Sequence, residues 1–181
     1  MSKGKVICII GATGEGKTTY AKIKFKSERQ TICYLLIESD MEGKNIIKFT
    51  NFMKLLNFGR RKKNKKFFID EAFTCLPKRL EIKMDKPEHP HNILAEFLVN
   101  ARKMNNFIII VLHSAKQIPE WLPTYIDYLI RFNTNDQFQY QAQRFSAFPV
   151  IEQSLRNEPF IKEKIKLNGI TITKPKILKL R

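Results

Sequence analysis

Eight consecutive residues, Gly11-Ala12-Thr13-Gly14-Glu15-Gly16-Lys17-Thr18, match the pattern G-x-x-x-x-G-K-[ST] at every fixed position. The residue types explain what such a stretch does. Glycines let consecutive backbone N–H groups converge on phosphate oxygens without Cβ clashes. A helix starting behind them adds its positive N-terminal end. Lys17 then reaches the β and γ phosphates, and the Thr18 hydroxyl ligates Mg²⁺. The expected ligand is a nucleoside triphosphate, ATP first, held by Gly11, Ala12, Thr13, Gly14, Glu15, Gly16, Lys17, Thr18 and Thr19.

Hydrolysis needs carboxylates as well. Phe67-Phe68-Ile69-Asp70-Glu71 is an apolar run ending in two of them. Asp70 is placed to hold the Mg²⁺ shell. Glu71 is placed to act as general base on the attacking water. A glutamate beside the magnesium aspartate favours hydrolysis over phosphoryl transfer to a small acceptor. Arg102 and His113 stand eleven residues apart. Arg102 reads in two ways, as a helix C-terminal cation or as a finger stabilising charge on a phosphoryl group. His113 reads either as a strand-end polar residue or as a sensor of the γ phosphate. His89, His91 and Glu88 with Cys75 make a weak metal set, because prolines around them suggest an exposed loop.

Strands and helices must position these groups. Residues 5–10 (KVICII) read as a buried strand, and a helix follows from Gly16. Residues 31–39 read as a second strand and 45–57 as a helix. Residues 66–70 form a third strand and 77–90 a proline-rich loop. A helix over 91–105 leads to a fourth strand over 107–113. Residues 127–132 and 138–145 read as short strands, and 165–180 alternate in the β manner. This order argues for an α/β fold with a mainly parallel sheet and a short antiparallel piece toward the C-terminus. Residues 1–160 are expected to form the domain and 161–181 a basic tail.

The 181 residues carry 33 Lys+Arg against 17 Asp+Glu, a net charge of +16. Two segments hold +12 of it: residues 60–66 (RRKKNKK), with six positive charges, and residues 162–181, with seven positive and one negative. The excess points to an anionic partner, nucleic acid before acidic membrane, with a solvated lysine-rich surface as the alternative. Phe138, Tyr140 and Phe145 are available to stack on bases or to pack an edge strand. The longest uninterrupted apolar run, FIIIVL over 107–112, is six residues. A membrane span needs about 20. Three cysteines without a CxxC pair argue against a disulfide framework and for a reducing cytosol.

The order GATGEGKT, FFIDEA, then ARKMNNFIIIVLHSAKQIPEWLPTYIDYLIRF resembles the FtsK–HerA superfamily of DNA-pumping ATPases over residues 5–132. Within it the chain is similar to small viral genome-packaging ATPases, and also to Zot-like phage assembly ATPases. The resemblance implies an additional-strand (ASCE-type) P-loop fold in which the strand 107–113 lies between the phosphate-loop strand and the Asp70 strand. It implies ATP and Mg²⁺ as cofactors and a homo-oligomeric ring, expected as a hexamer, on double-stranded DNA. It further implies a capsid or portal-vertex protein as partner, and a place in the host cytoplasm or on the virion. Arg102 matches a trans-acting finger, and His113 stands where the family usually has glutamine. A Zot-like assembly or export factor and a nucleotide kinase are the competing readings. A kinase needs an arginine-rich lid, and residues 77–90 hold only Arg79.

Overall fold

The computed structural model describes residues 4–25, 32–35, 45–132 and 163–180, with the backbone alone for Phe25 and for 32–35. The expected strand over 138–145, with Phe138, Tyr140 and Phe145, lies outside the described residues. Nine strands are described: β1 (Lys5–Ile10), β2 (Ile32–Leu35), β3 (Ile46–Phe49), β4 (Lys66–Ile69), β5 (Phe107–Leu112), β6 (Tyr128–Arg131), β7 (Lys164–Leu167), β8 (Ile170–Thr173) and β9 (Lys176–Lys179). Three α-helices accompany them: α1 (Lys17–Phe25), α2 (Phe52–Gly59) and α3 (Pro90–Val99).

Seven strands form one sheet in the order β3-β2-β4-β5-β1-β6-β9. All neighbours are parallel except β6 and β9, which are antiparallel. Strand β5 lies between β1 and β4, the additional-strand order of a P-loop NTPase. Strands β7 and β8 pair as a separate antiparallel hairpin. The β-type alternation over 165–180 falls on β7, β8 and β9, and β9 is an edge strand of the main sheet.

Continuous apolar strands are what a sheet covered on both faces requires. Along β1, Val6, Cys8 and Ile10 enter one core layer with Leu55, Leu56, Ile93, Leu94, Phe97 and Leu98 from α2 and α3. Ile7 and Ile9 point the other way, into a layer with Tyr20 and Ala21 of α1, Phe132, and Ile172 of β8.

The helix expected over 45–57 is instead a strand and a shorter helix. Ile46 and Ile47 are β-branched and pair in β3. The Asn51 side chain then accepts a hydrogen bond from the Lys54 backbone N–H at 3.1 Å and starts α2 behind it. The helix expected over 91–105 begins one residue earlier, with Pro90 at its first turn, and stops at Val99. Residues 100–105 run as turns, and Asn105 adopts a left-handed φ of 53°.

Candidate functional site

Parallel register brings three strand ends to one place. Ile10 pairs with Leu112, and Ile69 pairs with Ile110. The residues that follow β1, β4 and β5 are the phosphate loop, Asp70-Glu71 and His113. They meet at the C-terminal edge of the sheet, where open α/β sheets bind ligands.

Gly14 and Gly16 take φ values of 81° and 88°. This left-handed region is open to glycine at little cost and lets the loop turn its N–H groups inward. Lys17 is 6% exposed, and its Nζ donates to Ala12 O at 2.9 Å. Burial pulls the Lys17 ammonium below its ordinary pKa, while the charges of Asp70, Glu71 and Glu15 oppose the shift. The Thr18 hydroxyl donates to Asp70 Oδ2 at 2.9 Å. Burial pushes the Asp70 carboxyl up. The Thr18 hydroxyl and the Glu71 N–H pull it back, the Glu71 charge raises it, and Lys17 lowers it. Two hard oxygen donors side by side are of the kind that would suit Mg²⁺.

Glu71 stands at a left-handed φ of 50° and ψ of 36°. For a non-glycine residue this conformation costs on the order of 1–3 kcal/mol. The Thr74 N–H and hydroxyl both donate to Glu71 O at 2.9 Å and hold the turn. The Glu71 side chain is held by His113, whose Nε2 lies 2.7 Å from Glu71 Oε2. An ionised carboxylate only accepts, so Nε2 carries the proton. On the other side of the ring, His113 Nδ1 lies 3.4 Å from Thr13 Oγ1 of the phosphate loop. His113 thus bridges the loop and the Asp70-Glu71 corner.

Arg102 is not part of this gathering. Its Nη2 donates to Asp127 Oδ1, and Asp127 Oδ2 accepts from the Val6 backbone N–H at 2.8 Å. Val6 is the second residue of β1, whereas the phosphate loop follows Ile10. Four residues of strand, about 13 Å, separate the two. Asp127 is 3% exposed and the Arg102 side chain 50%. The pair lines a small cavity with Val6, Leu98, Val99, Thr124 and Tyr125.

The basic run lies at this same N-terminal edge of the sheet. Arg60 is removed from it: the residue follows α2 directly and pairs with Glu88 at 2.6 Å and Glu96 at 3.5 Å. Arg61, Lys62 and Lys63 are exposed. Their turn is fastened to the turn after α3. Asn106 accepts from the Lys65 N–H at 2.9 Å and donates to Lys62 O at 2.8 Å. The Asn64 N–H donates to Met104 O at 3.0 Å, and Asn105 Nδ2 donates to Asn64 Oδ1 at 2.8 Å. Exposed Arg102 and Lys103 therefore join Arg61, Lys62 and Lys63 on one ordered surface.

His89 and His91 serve turns. His89 Nδ1 accepts from the His91 N–H at 3.3 Å ahead of α3, and His91 Nδ1 accepts from the Glu81 N–H at 3.0 Å. Among the described residues no group of three or more His, Cys, Asp or Glu is placed to hold a metal. Nor is any described helix long and apolar enough to cross a membrane.

Asp127, Asn106 and Thr173 were not singled out from sequence. Asp127 and Asn106 each stand just ahead of an apolar strand, and that flanking position is the signal that could have found them. Thr173 donates to the Glu15 carboxylate of the phosphate loop from 158 residues away, which no local pattern announces.

No protein-family model matches the chain, and no curated protein matches it. Solved structures do. The genome-packaging NTPase B204 from Sulfolobus turreted icosahedral virus 2, in complex with AMPPCP, superposes with a TM-score of 0.65 at 14% identity, covering 86% of each chain. B204 from Sulfolobus turreted icosahedral virus, described as a DNA-packaging ATPase, gives a TM-score of 0.62 at 15% identity, covering 88% of this chain and 90% of that one. The N-terminal domain of zonular occludens toxin from Neisseria meningitidis gives 0.55 at 14% identity, covering 74% and 79%. The chain has the P-loop NTPase fold and resembles the viral packaging enzymes in it.

Proposed function

We propose that this chain hydrolyses ATP in a homo-oligomeric ring, hexameric by resemblance, and uses the energy to move double-stranded DNA into a viral capsid. The observation that carries the reading is the meeting of the phosphate loop, the Thr18–Asp70 pair and the Glu71–His113 pair at one edge of the sheet. The loop N–H groups and Lys17 take the β and γ phosphates. Thr18 and Asp70 hold Mg²⁺, which when bound neutralises charge on those phosphates. His113 fixes one oxygen of Glu71 and leaves Oε1 for the water. Water oxygen bonds to the γ phosphorus, the bond to the β-γ bridging oxygen breaks, ADP leaves, and the water proton passes to Glu71.

Within one chain Arg102 is too far from the phosphates to act on them. Its half-exposed guanidinium is presented at the opposite edge, which supports reading it as a finger directed at the phosphates of a neighbouring copy. The ordered surface of Arg61, Lys62, Lys63, Arg102 and Lys103 suits a DNA backbone, which is held mainly by cations on phosphates. A capsid or portal-vertex protein completes the reading as the docking partner, in the host cytoplasm or on the virion. The likeness to a DNA-packaging ATPase supports this assignment over other P-loop activities.

ATP hydrolysis measured with and without duplex DNA across a salt series tests the proposal. DNA stimulates turnover at low salt and loses that effect as salt rises. Turnover indifferent to DNA at every salt concentration favours a second reading, a phage assembly ATPase. The fold likeness to zonular occludens toxin keeps that reading in view. ADP formed only with an added nucleotide acceptor identifies a kinase.

A further inference from the structure

The C-terminal hairpin touches the phosphate loop at two adjacent residues. Thr173 of β8 donates its hydroxyl to Glu15 Oε2, and Ile172 packs on Gly16, where an added Cβ would meet Ile172 Cγ2 at 2.7 Å. Thr173 is 7% exposed and Ile172 5%. Ile172 also shares a core layer with Tyr20 and Ala21 of α1, the helix that continues the loop. The hairpin is otherwise a separate two-stranded sheet, with Lys164, Lys166 and Lys174 exposed.

Glu15 is an awkward residue for its place. It sits between the two left-handed glycines of a loop shaped for a polyanion, and its carboxylate repels phosphate of like charge. A hydrogen bond that turns the carboxylate toward the hairpin removes the conflict. A charge-assisted bond of this kind is stronger than one between neutral groups.

We propose that Thr173 is a positioning residue for the phosphate loop, so that the β7–β8 hairpin is a wall of the nucleotide site. The inference rests on the nucleotide-binding reading above and adds to it a contribution from the far end of the chain. Thr173 holds Glu15 away from the triphosphate, while Ile172 fixes the backbone at Gly16. Loss of the Thr173 hydroxyl weakens nucleotide binding more than it slows the chemical step, because Thr173 touches neither the water nor the γ phosphate.

Binding of a fluorescent ATP analogue and steady-state ATP hydrolysis, both on the full chain, test this. Thr173→Val, which keeps the shape and loses the hydroxyl, raises Kd and KM about tenfold with kcat within about twofold, and Thr173→Ser restores them. In a Glu15→Gln background the same Thr173→Val change has no effect, because the repelled charge is gone. Glu15→Gln alone, which opens no cavity, lowers the Kd of the analogue below the wild-type value, because the like charge beside the phosphates is gone. Wild-type affinity in Thr173→Val overturns the inference, as does an equal loss with and without Glu15→Gln. If Thr173→Val does not fold, Glu15→Gln decides alone, and a Kd there no lower than the wild-type value overturns the inference. A wild-type chain that binds no nucleotide removes the nucleotide reading itself, and the inference with it.

Discussion

His113 Nε2 lies 2.7 Å from Glu71 Oε2, and the other ring nitrogen faces Thr13 of the phosphate loop. The imidazole therefore links the proposed general base to the loop that holds the phosphates. Glu71→Gln should retain nucleotide binding and lower turnover by about 10²–10⁴-fold, the usual contribution of a general base. His113→Ala leaves the Glu71 side chain unguided and should lower kcat by roughly 10–100-fold with little change in KM. His113→Gln, which still offers an N–H, should recover most of that loss. Normal turnover in His113→Ala removes the histidine from the mechanism.

Arg102 and Asp127 need to be separated by a double variant. Arg102→Ala alone strips a buried carboxylate of its cation and should destabilise the fold. Half-exposure of the arginine limits the cost to about 1–2 kcal/mol, below the range for a fully buried pair. Arg102→Ala with Asp127→Asn removes both charges and should recover most of the melting temperature. If Arg102 serves a neighbour's phosphates, the stable double variant still loses about 10³-fold in oligomer turnover. Full turnover in it leaves Arg102 as a structural cation.

Lys17 carries a cost in the fold. Burial disfavours its ammonium, and its pKa lies below the ordinary lysine value. A lysine lowered on folding destabilises the protein while protonated in both states, and stability rises as pH climbs from the folded to the unfolded pKa. Lys17→Met keeps the stem and removes the charge. Its expected effect is a higher melting temperature, with no ATP turnover. A lower melting temperature contradicts this account of the lysine.

Lys62 and Lys63 project from the basic turn that Asn106 and Asn64 fasten. Each lysine that contacts a phosphate should contribute about one unit to the salt slope of DNA affinity. Lys62→Ala with Lys63→Ala should therefore flatten the slope by about two and weaken binding alike on all sequences. An unchanged slope moves the DNA surface elsewhere.

The phosphate loop was legible because its chemistry fixes residue types at fixed spacing within eight positions. Asp70 and Glu71 were legible because an apolar strand announces where its C-terminal edge falls. The boundary between β3 and α2 was not, since Ile46, Ile47, Phe49 and Phe52 satisfy a helical stripe until Asn51 is recognised as a cap. The basic run also sits differently from its place in the chain. It leads into β4 and stands near Glu71 in sequence, yet the strand carries it to the opposite edge of the sheet. Contacts such as Thr173 with Glu15 depend on how distant segments pack, and local spacing carries no trace of them.

Movement along DNA is the central claim, and displacement of a third strand from a duplex reads it directly. Wild-type protein with ATP and Mg²⁺ should strip a triplex-forming oligonucleotide placed downstream on linear duplex DNA. Glu71→Gln, which binds ATP without hydrolysing it, should leave the triplex intact. A wild-type chain that hydrolyses ATP on that duplex and never displaces the third strand contradicts the account.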